Sequence, residues 1–241
     1  MEQAQASAER SPALELEGRR AVVTGASQGI GRESLMVAGD TSDPRGVEAL
    51  AEAVCERWGG IDIWVNNAAR LMVKPFVETS DADWHGLLAT NLHGYFYGCR
   101  TAARQMLRQG GGRIVNVTSA ANILAVAELG AYTAAKGAIA AMTKVLALEL
   151  APHDITVNAV APGAIDTQMN ATAYTPAVRR VYEERIALGR IGTAAEIADV
   201  VVFLASDRSR YVTGQELVVD GGLTINGTVG HARASDEETG P

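Results

Sequence analysis

A short β-rich run that ends in a cluster of glycines constrains this chain more than any other feature. Arg20-Ala21-Val22-Val23-Thr24 leads directly into Gly25-Ala26-Ser27-Gln28-Gly29-Ile30-Gly31. Successive Val and Thr favour a buried strand. Glycines just after a strand permit a tight turn and a close approach of backbone to a pyrophosphate. The N-terminus of a following helix offers unpaired N–H groups to the same anion. The spacing is Gly-x-x-x-Gly-x-Gly rather than Gly-x-Gly-x-x-Gly, and alone it fits a simple turn as well as a phosphate site. Downstream, strand-like runs at 61–66, 113–118, 155–161 and 216–220 alternate with helical stripes. The stripes are Val47/Leu50/Ala51/Val54/Trp58, Leu92/Tyr95/Phe96/Cys99/Ala103/Met106, Ile139/Met142/Leu146/Leu150 and Ile197/Val200/Val201/Leu204. This alternation predicts an α/β domain with a parallel sheet and helices on its faces. Asp43-Pro44 marks a helix start, because proline at the first helical position lacks only a donor the helix does not use.

A second pattern carries chemistry. Tyr132 and Lys136 stand four apart within a predicted helix over 131–150, so both lie on one face, and Ser119 precedes Tyr132 by thirteen positions. A free phenol has a pKa near ~10 and is a poor base at neutral pH. Lowering it by about three units takes roughly 4 kcal/mol, which one close cation in a partly dry cleft can supply. The pair is thus an acid/base device, although Tyr-x-x-x-Lys alone is also a common helix-surface pattern.

Length and composition narrow the class. A chain of 241 residues fits one domain with a sizeable core. A formal net charge of −7 argues against nonspecific nucleic-acid binding. No run of eighteen or more apolar residues suggests a membrane span, and residues 1–17 lack the apolar region of a signal peptide. Cys55 and Cys99 are too few for a disulfide framework and read as buried thiols, and no metal-ligand cluster is visible. A reducing cytoplasm is the expected compartment. Residues 1–15 and 231–241 are polar and read as tails around a domain at 16–230.

The ordered set Thr24–Gly31, Asn66-Asn67-Ala68-Ala69, Asn91, Ser119, Tyr132/Lys136 and Pro162-Gly163 closely resembles the classical short-chain dehydrogenase/reductase family. Further matches are Asp62-Ile63-Trp64-Val65, Ile155-Thr156-Val157-Asn158, Gly189-Arg190-Ile191-Gly192, Val212-Thr213-Gly214-Gln215 and Val219-Asp220-Gly221-Gly222. The resemblance covers residues 16–225. It implies a single-domain, Rossmann-like, doubly wound parallel sheet. It also implies an NAD- or NADP-dependent oxidoreductase moving a hydride to or from a secondary alcohol or ketone, and a homotetramer. Tyr132 is the implied general acid/base, Lys136 the group that holds the nicotinamide ribose and lowers the tyrosine pKa, and Ser119 the substrate-oxygen donor. Asn91 is the implied fourth member, which bends its helix and seats a water in a proton relay. Gly25, Ser27, Gln28, Ile30 and Gly31 would hold the cofactor diphosphate, and Asp40 and Thr41 the adenine. Asn67 would lie beside the adenosine ribose, with a strand-end cap as its other reading. Pro162, Gly163, Ile165 and Thr167 would orient the nicotinamide. Residues 166–186, including Met169, Tyr174, Val178, Val181 and Tyr182, match the family's variable lid over the substrate. Sugars, cyclic alcohols, steroid-like ketones and 3-oxoacyl thioesters all remain compatible.

One departure stands out. After Gly31 only eight residues, Arg32 to Gly39, precede Asp40-Thr41-Ser42-Asp43. The family places a helix, the second strand and a further helix there, so roughly thirty residues are missing against the doubly wound order. The chain therefore lacks the second strand, its flanking helix and the position that selects NAD over NADP. The deletion is expected to expose apolar surface on the first and fourth strands, or to bring residues 35–38, a third-strand remnant, beside the first. It also motivates an alternative reading as a catalytically silent binding or scaffold protein.

Overall fold

The computed structural model describes residues 16–25, 37–171 and 173–227. In chain order they form β1 (Ala21–Val23), α1 (Pro44–Trp58), β2 (Ile63–Asn66), α2 (Asp81–Leu88), α3 (Gly94–Gln109), β3 (Gly112–Val117) and α4 (Gly130–Leu150). β4 (Ile155–Pro162), β5 (Ile165–Asp166), α5 (Pro176–Arg185), β6 (Gly192–Thr193), α6 (Ala194–Ala205) and β7 (Glu216–Val219) follow. The main sheet has the order β1-β2-β3-β4-β7 with every pair parallel, and β5 and β6 make a separate two-stranded ladder. An α/β fold with a parallel central sheet is thus observed. All five strand-like runs form strands and all four helical stripes form helices.

The sequence explains the layers. Strands buried on both faces read as continuous apolar runs, and β2 and seven of the eight residues of β4 are buried. On one face α1, α3 and α4 close over Val22, Trp64, Met106, Ile114 and Val157. On the other, α6 brings Leu204 and Ala205 onto Ile63, Val65, Val115 and Val160. The α1 start is as expected: Asp43 accepts from Arg45 N, Pro44 opens the helix, and left-handed Gly59 ends it.

A buried polar chain locks α3 and α4 to the sheet. Trp64 Nε1 donates to Asn66 Oδ1 at 2.8 Å, Asn66 Nδ2 to Asn116 Oδ1 at 2.9 Å, and Asn116 Nδ2 to Thr143 Oγ1 at 3.0 Å. Thr143 Oγ1 donates to Ile139 O within α4 at 2.9 Å. Each group is satisfied, so burying it is tolerated. α3 approaches closely because Gly98 has no Cβ, which would collide with Asn66 Oδ1.

Two helices left no stripe in the sequence. α2 starts in a capping box between Ser80 and Asp83 but buries only Leu87. α5 buries none of its residues. Amphipathic periodicity records burial against a core, and these two have little of it.

The expectations about the deletion need correction. Among the described residues β1 pairs only with β2, and Val23 is 42% exposed. Its neighbour β2 is buried throughout, and β4 is buried in seven of its eight residues. Residues 37–40 carry no regular structure and do not extend the sheet, while Leu35 and Met36 lie outside the described residues. Cys99 is buried as expected, but Cys55 is only half-buried. The proposed tails at 1–15 and 231–241 also lie outside the described residues.

Candidate active site

The carboxyl ends of β3 and β4 and the first turns of α4 converge on one cleft. β3 ends at Val117, and Ser119 caps the short 3-10 helix Ala120–Asn122 by accepting from Ala121 N at 3.2 Å. That bond orients the Ser119 hydroxyl, which lies near enough to the Tyr132 phenol to favour its ionised form. Tyr132 and Lys136 follow on one face of α4, as their spacing requires. Ser119, Tyr132, Pro162 and Gly163 together line a cleft of about 660 Å³.

Lys136 is 1% exposed. Its ammonium donates to Val117 O at 2.7 Å and to Tyr95 Oη at 3.0 Å. It lies 5.7 Å from the Tyr132 ring centroid and 4.6 Å from that of Tyr95. Burial pulls its pKa down to about 7. Burial also pushes the Tyr132 phenol above its ordinary value, and the Ser119 hydrogen bond draws it back down. The lysine is therefore placed beside the tyrosine ring rather than bonded to its hydroxyl. The depression by Lys136 expected from the sequence is therefore not observed: burial outweighs the other effects on the phenol and leaves its pKa raised.

Asn91 lies in a π-helical turn, Ala89–His93, between α2 and α3. The turn interrupts the helix where a bend was expected. Both ends of the Asn91 amide are taken by Arg70: Nδ2 donates to its carbonyl and Oδ1 accepts from its N–H, each at 2.8 Å. The side chain thus pins the segment after β2 to the helices.

The implied cofactor residues divide into two groups. Pro162 closes β4, and Gly163 N donates to Val219 O at 3.0 Å. A Cβ on Gly163 would stand 2.6 Å from Asp220 Cβ, so only glycine fits. Ile165 is buried in β5, and Thr167 precedes the 3-10 helix Gln168–Asn170. Gly25 has φ +72°, and a Cβ there would meet Ala68 Cα at 2.7 Å, so the turn after β1 needs a glycine. Ser27, Gln28, Ile30 and Gly31 lie outside the described residues. Asp40 is exposed and accepts from Ser42 N at 2.9 Å, which holds its carboxyl below the usual range. Thr41 packs on Gly94 of α3. Asn67 donates from N to Thr24 Oγ1 at 3.0 Å and from Nδ2 to Thr24 O at 3.1 Å. These bonds tie the ends of β1 and β2 together, which matches the cap reading. Asp40, Thr41, Asn67, Ile165 and Thr167 do not line the cleft.

Lys136 does not line the cleft, and its capacity to reach a nicotinamide ribose rests on one donor left over from its internal bonds. Among the described residues Lys136 gives two of its three protons to Val117 and Tyr95, leaving one for a ribose hydroxyl. No group of three or more potential metal ligands occurs among the described residues.

The lid partly follows expectation. Tyr174, Val178, Val181 and Tyr182 line the cleft and Met169 does not. The Tyr174 and Tyr182 rings pack at 5.3 Å. Arg179 pairs with Asp166 at 2.7 Å, whereas Arg185 reaches the cleft. Tyr95 was read from the sequence as packing alone, and its contact with Lys136 was missed. The available signal was its place one helical turn after Asn91.

A family model described as Enoyl-(Acyl carrier protein) reductase matches residues 14–224. An Escherichia coli (strain K12) protein called "Uncharacterized oxidoreductase YohF" is 44% identical over 183 residues, covering 76% of this chain and 72% of its own. The 3beta-hydroxysteroid dehydrogenase 1 of Eggerthella lenta is 39% identical over 211 residues, 87% of this chain and 80% of its own. A crystal structure of a gluconate 5-dehydrogenase from Burkholderia cenocepacia in complex with NADP and tartrate is 36% identical with a TM-score of 0.74. It covers 77% of this chain and 73% of its own. With its parallel sheet, its serine–tyrosine pair and its buried lysine, this chain belongs to the classical short-chain dehydrogenase/reductase family of oxidoreductases.

Proposed function

We propose that the protein interconverts a secondary alcohol and a ketone on a bulky apolar skeleton, with NAD or NADP as hydride carrier. The observation that carries this reading is that Ser119 and Tyr132 line one cleft, with Lys136 buried 5.7 Å from the Tyr132 ring centroid. A bound nicotinamide would supply or accept the hydride. Tyr132 would give its phenolic proton to a ketone oxygen, or take the proton of an alcohol. Ser119 would donate to the same oxygen and hold it in line with the phenol. Lys136 would hold the ribose and favour the phenolate through space.

The lining favours apolar substrates over polyols. Leu71, Val73, Leu124, Leu129, Val178 and Leu223 face the cleft, with alanines between them. A polyol would lose water there without enough partners to replace it. A steroid-like ketone or a long 3-oxoacyl chain suits this surface better than a sugar acid. A homotetramer in a reducing cytoplasm is proposed with it. Ala134, Ala138 and Ala141 form an exposed small-residue face on α4 that permits close helix approach, although Ala135 turns into the core of its own subunit.

The test couples binding to turnover. NADH and NADPH are titrated separately with nicotinamide fluorescence as readout, then a steroid ketone, a 3-oxoacyl thioester and gluconate are compared. Saturable binding and turnover of an apolar ketone that Tyr132→Phe abolishes are expected. Near-normal turnover in that variant would overturn the assignment.

A further inference from the structure

Lys136 has a partner whose chemistry packing alone does not explain. Tyr95 is 1% exposed in the first turn of α3, directly after the π-helical turn that carries Asn91. Its hydroxyl donates to Val117 O at 2.9 Å and accepts from Lys136 Nζ at 3.0 Å, while Nζ donates to the same carbonyl at 2.7 Å. Three groups from α3, α4 and the end of β3 thus close a triangle of direct bonds. A phenylalanine would fill the same space, and a buried hydroxyl is costly unless it is bonded. Here both bonds of that hydroxyl go to the lysine and to the lysine's own acceptor.

We infer that Tyr95 is a positioning residue for Lys136, whose phenolic oxygen tethers the buried ammonium beside the Tyr132 ring. The inference rests on the oxidoreductase reading for its consequence, but the tether itself stands on geometry. A lysine this dry tends to lose its charge, and each hydrogen bond it donates favours the charged form. The triangle also restricts the stem, because Val117 O and Tyr95 Oη fix Nζ from two directions. Tyr95 is not a proton exit: its own proton is held by a backbone carbonyl that cannot pass one on.

Few other charges face this site. Tyr132 shares α4 with the lysine, and Cys99 lies beyond Tyr95 on α3. β3 contributes the Val117 carbonyl. Among the described residues no carboxylate acts on Lys136. A shift in its titration on changing Tyr95 therefore reports the tether.

The experiment uses the whole chain without added cofactor. The sequence has only three lysines, Lys74, Lys136 and Lys144, so 13Cε-lysine labelling gives three NMR signals. Lys136→Met assigns the central one. In the unaltered protein that signal is expected to titrate near pH 7. In Tyr95→Phe it should move down by about one to two pH units, the size of a hydrogen bond to a charged group. Lys74 and Lys144 should stay in place, and a melting curve confirms that the variant folds. A Lys136 midpoint that does not move overturns the tether. Turnover is the second readout: the pH midpoint for alcohol oxidation should rise in Tyr95→Phe, because the cation that favours the phenolate is lost. A merely structural defect would lower the rate equally at every pH. A shifted lysine in a protein without turnover would sink the oxidoreductase reading and keep the tether. Turnover that needs Tyr132, with an unmoved lysine, would do the reverse.

Discussion

The carboxyl ends of β3 and β4 and the edge strand β1 come from similar apolar runs but end in different surroundings. β3 and β4 are central, flanked by strands on both sides and covered by helices on both faces. They carry Ser119 and Pro162 just beyond their last residues, and the cleft forms there. β1 has one strand neighbour among the described residues, and Val23 faces out. The comparison teaches that Ser119, Tyr132 and Lys136 are placed by the central strands and α4, away from the exposed edge at β1. They stand just beyond the end of β3 and on α4, and the Asn66–Asn116–Thr143 chain bonds β2, β3 and α4 to one another. The residues just after β1 and β2 and before α1 are tied locally instead. Asn67 there binds Thr24, and Asp40 binds its own neighbour Ser42.

The sharpest test of this contrast is chemical. Tyr132→Phe should lower turnover by ~10²–10⁴-fold, the usual range for a general acid/base, while nicotinamide binding measured by fluorescence persists. Loss of binding together with turnover would place the tyrosine among structural groups instead. Next in size is the core beneath the cleft. Ile114→Ala, at a fully buried β3 position, should cost about 2–5 kcal/mol in denaturant unfolding. A cost below ~1 kcal/mol would mean that the sheet centre is as yielding as its edge.

A third test uses pH. The folded-state pKa of Lys136 is depressed to about 7, below the ~10.4 of a free lysine. The unfolded chain therefore binds more protons between those values, and stability rises with pH across that window. Below about pH 7 both states are charged and the burial penalty is complete. Relative to the unaltered protein, Lys136→Met should melt highest near pH 6 and lose that advantage by pH 10. A difference in melting temperature that is flat in pH would refute the depressed pKa. The smallest effect is expected at the edge: Val23→Thr should change stability by no more than ~0.5 kcal/mol, because the site is already 42% exposed. A larger loss would show that β1 is covered in solution.

Much of the fold was legible because burial leaves periodicity in a sequence. The stripes at 47–58, 92–106, 139–150 and 197–204 lie on helices that close over the sheet, and the apolar runs are its strands. α5, with no buried residue, left no such trace although it covers the cleft with Val178 and Val181. The same holds within the site. Tyr132 and Lys136 share a helix face by their spacing alone, and Ser119 could be matched by its order in the chain. The sequence was silent on where the ammonium points.

By itself, the amino-acid order determined an α/β domain with a parallel sheet, the family of the chain, and a tyrosine–lysine pair on one helix. Its spacing beside the glycine turn also raised the expectation that a strand's worth of chain is missing there, since residue spacing along the backbone records both periodicity and loss. Only the tertiary structure decided that β1 has a single strand neighbour among the described residues, that the cleft is apolar, and that Lys136 is held by Tyr95 and Val117 beside the phenol rather than bonded to it. Those facts depend on which side chains from distant segments meet and on how much water they exclude. Neither quantity is written in the spacing of any one segment.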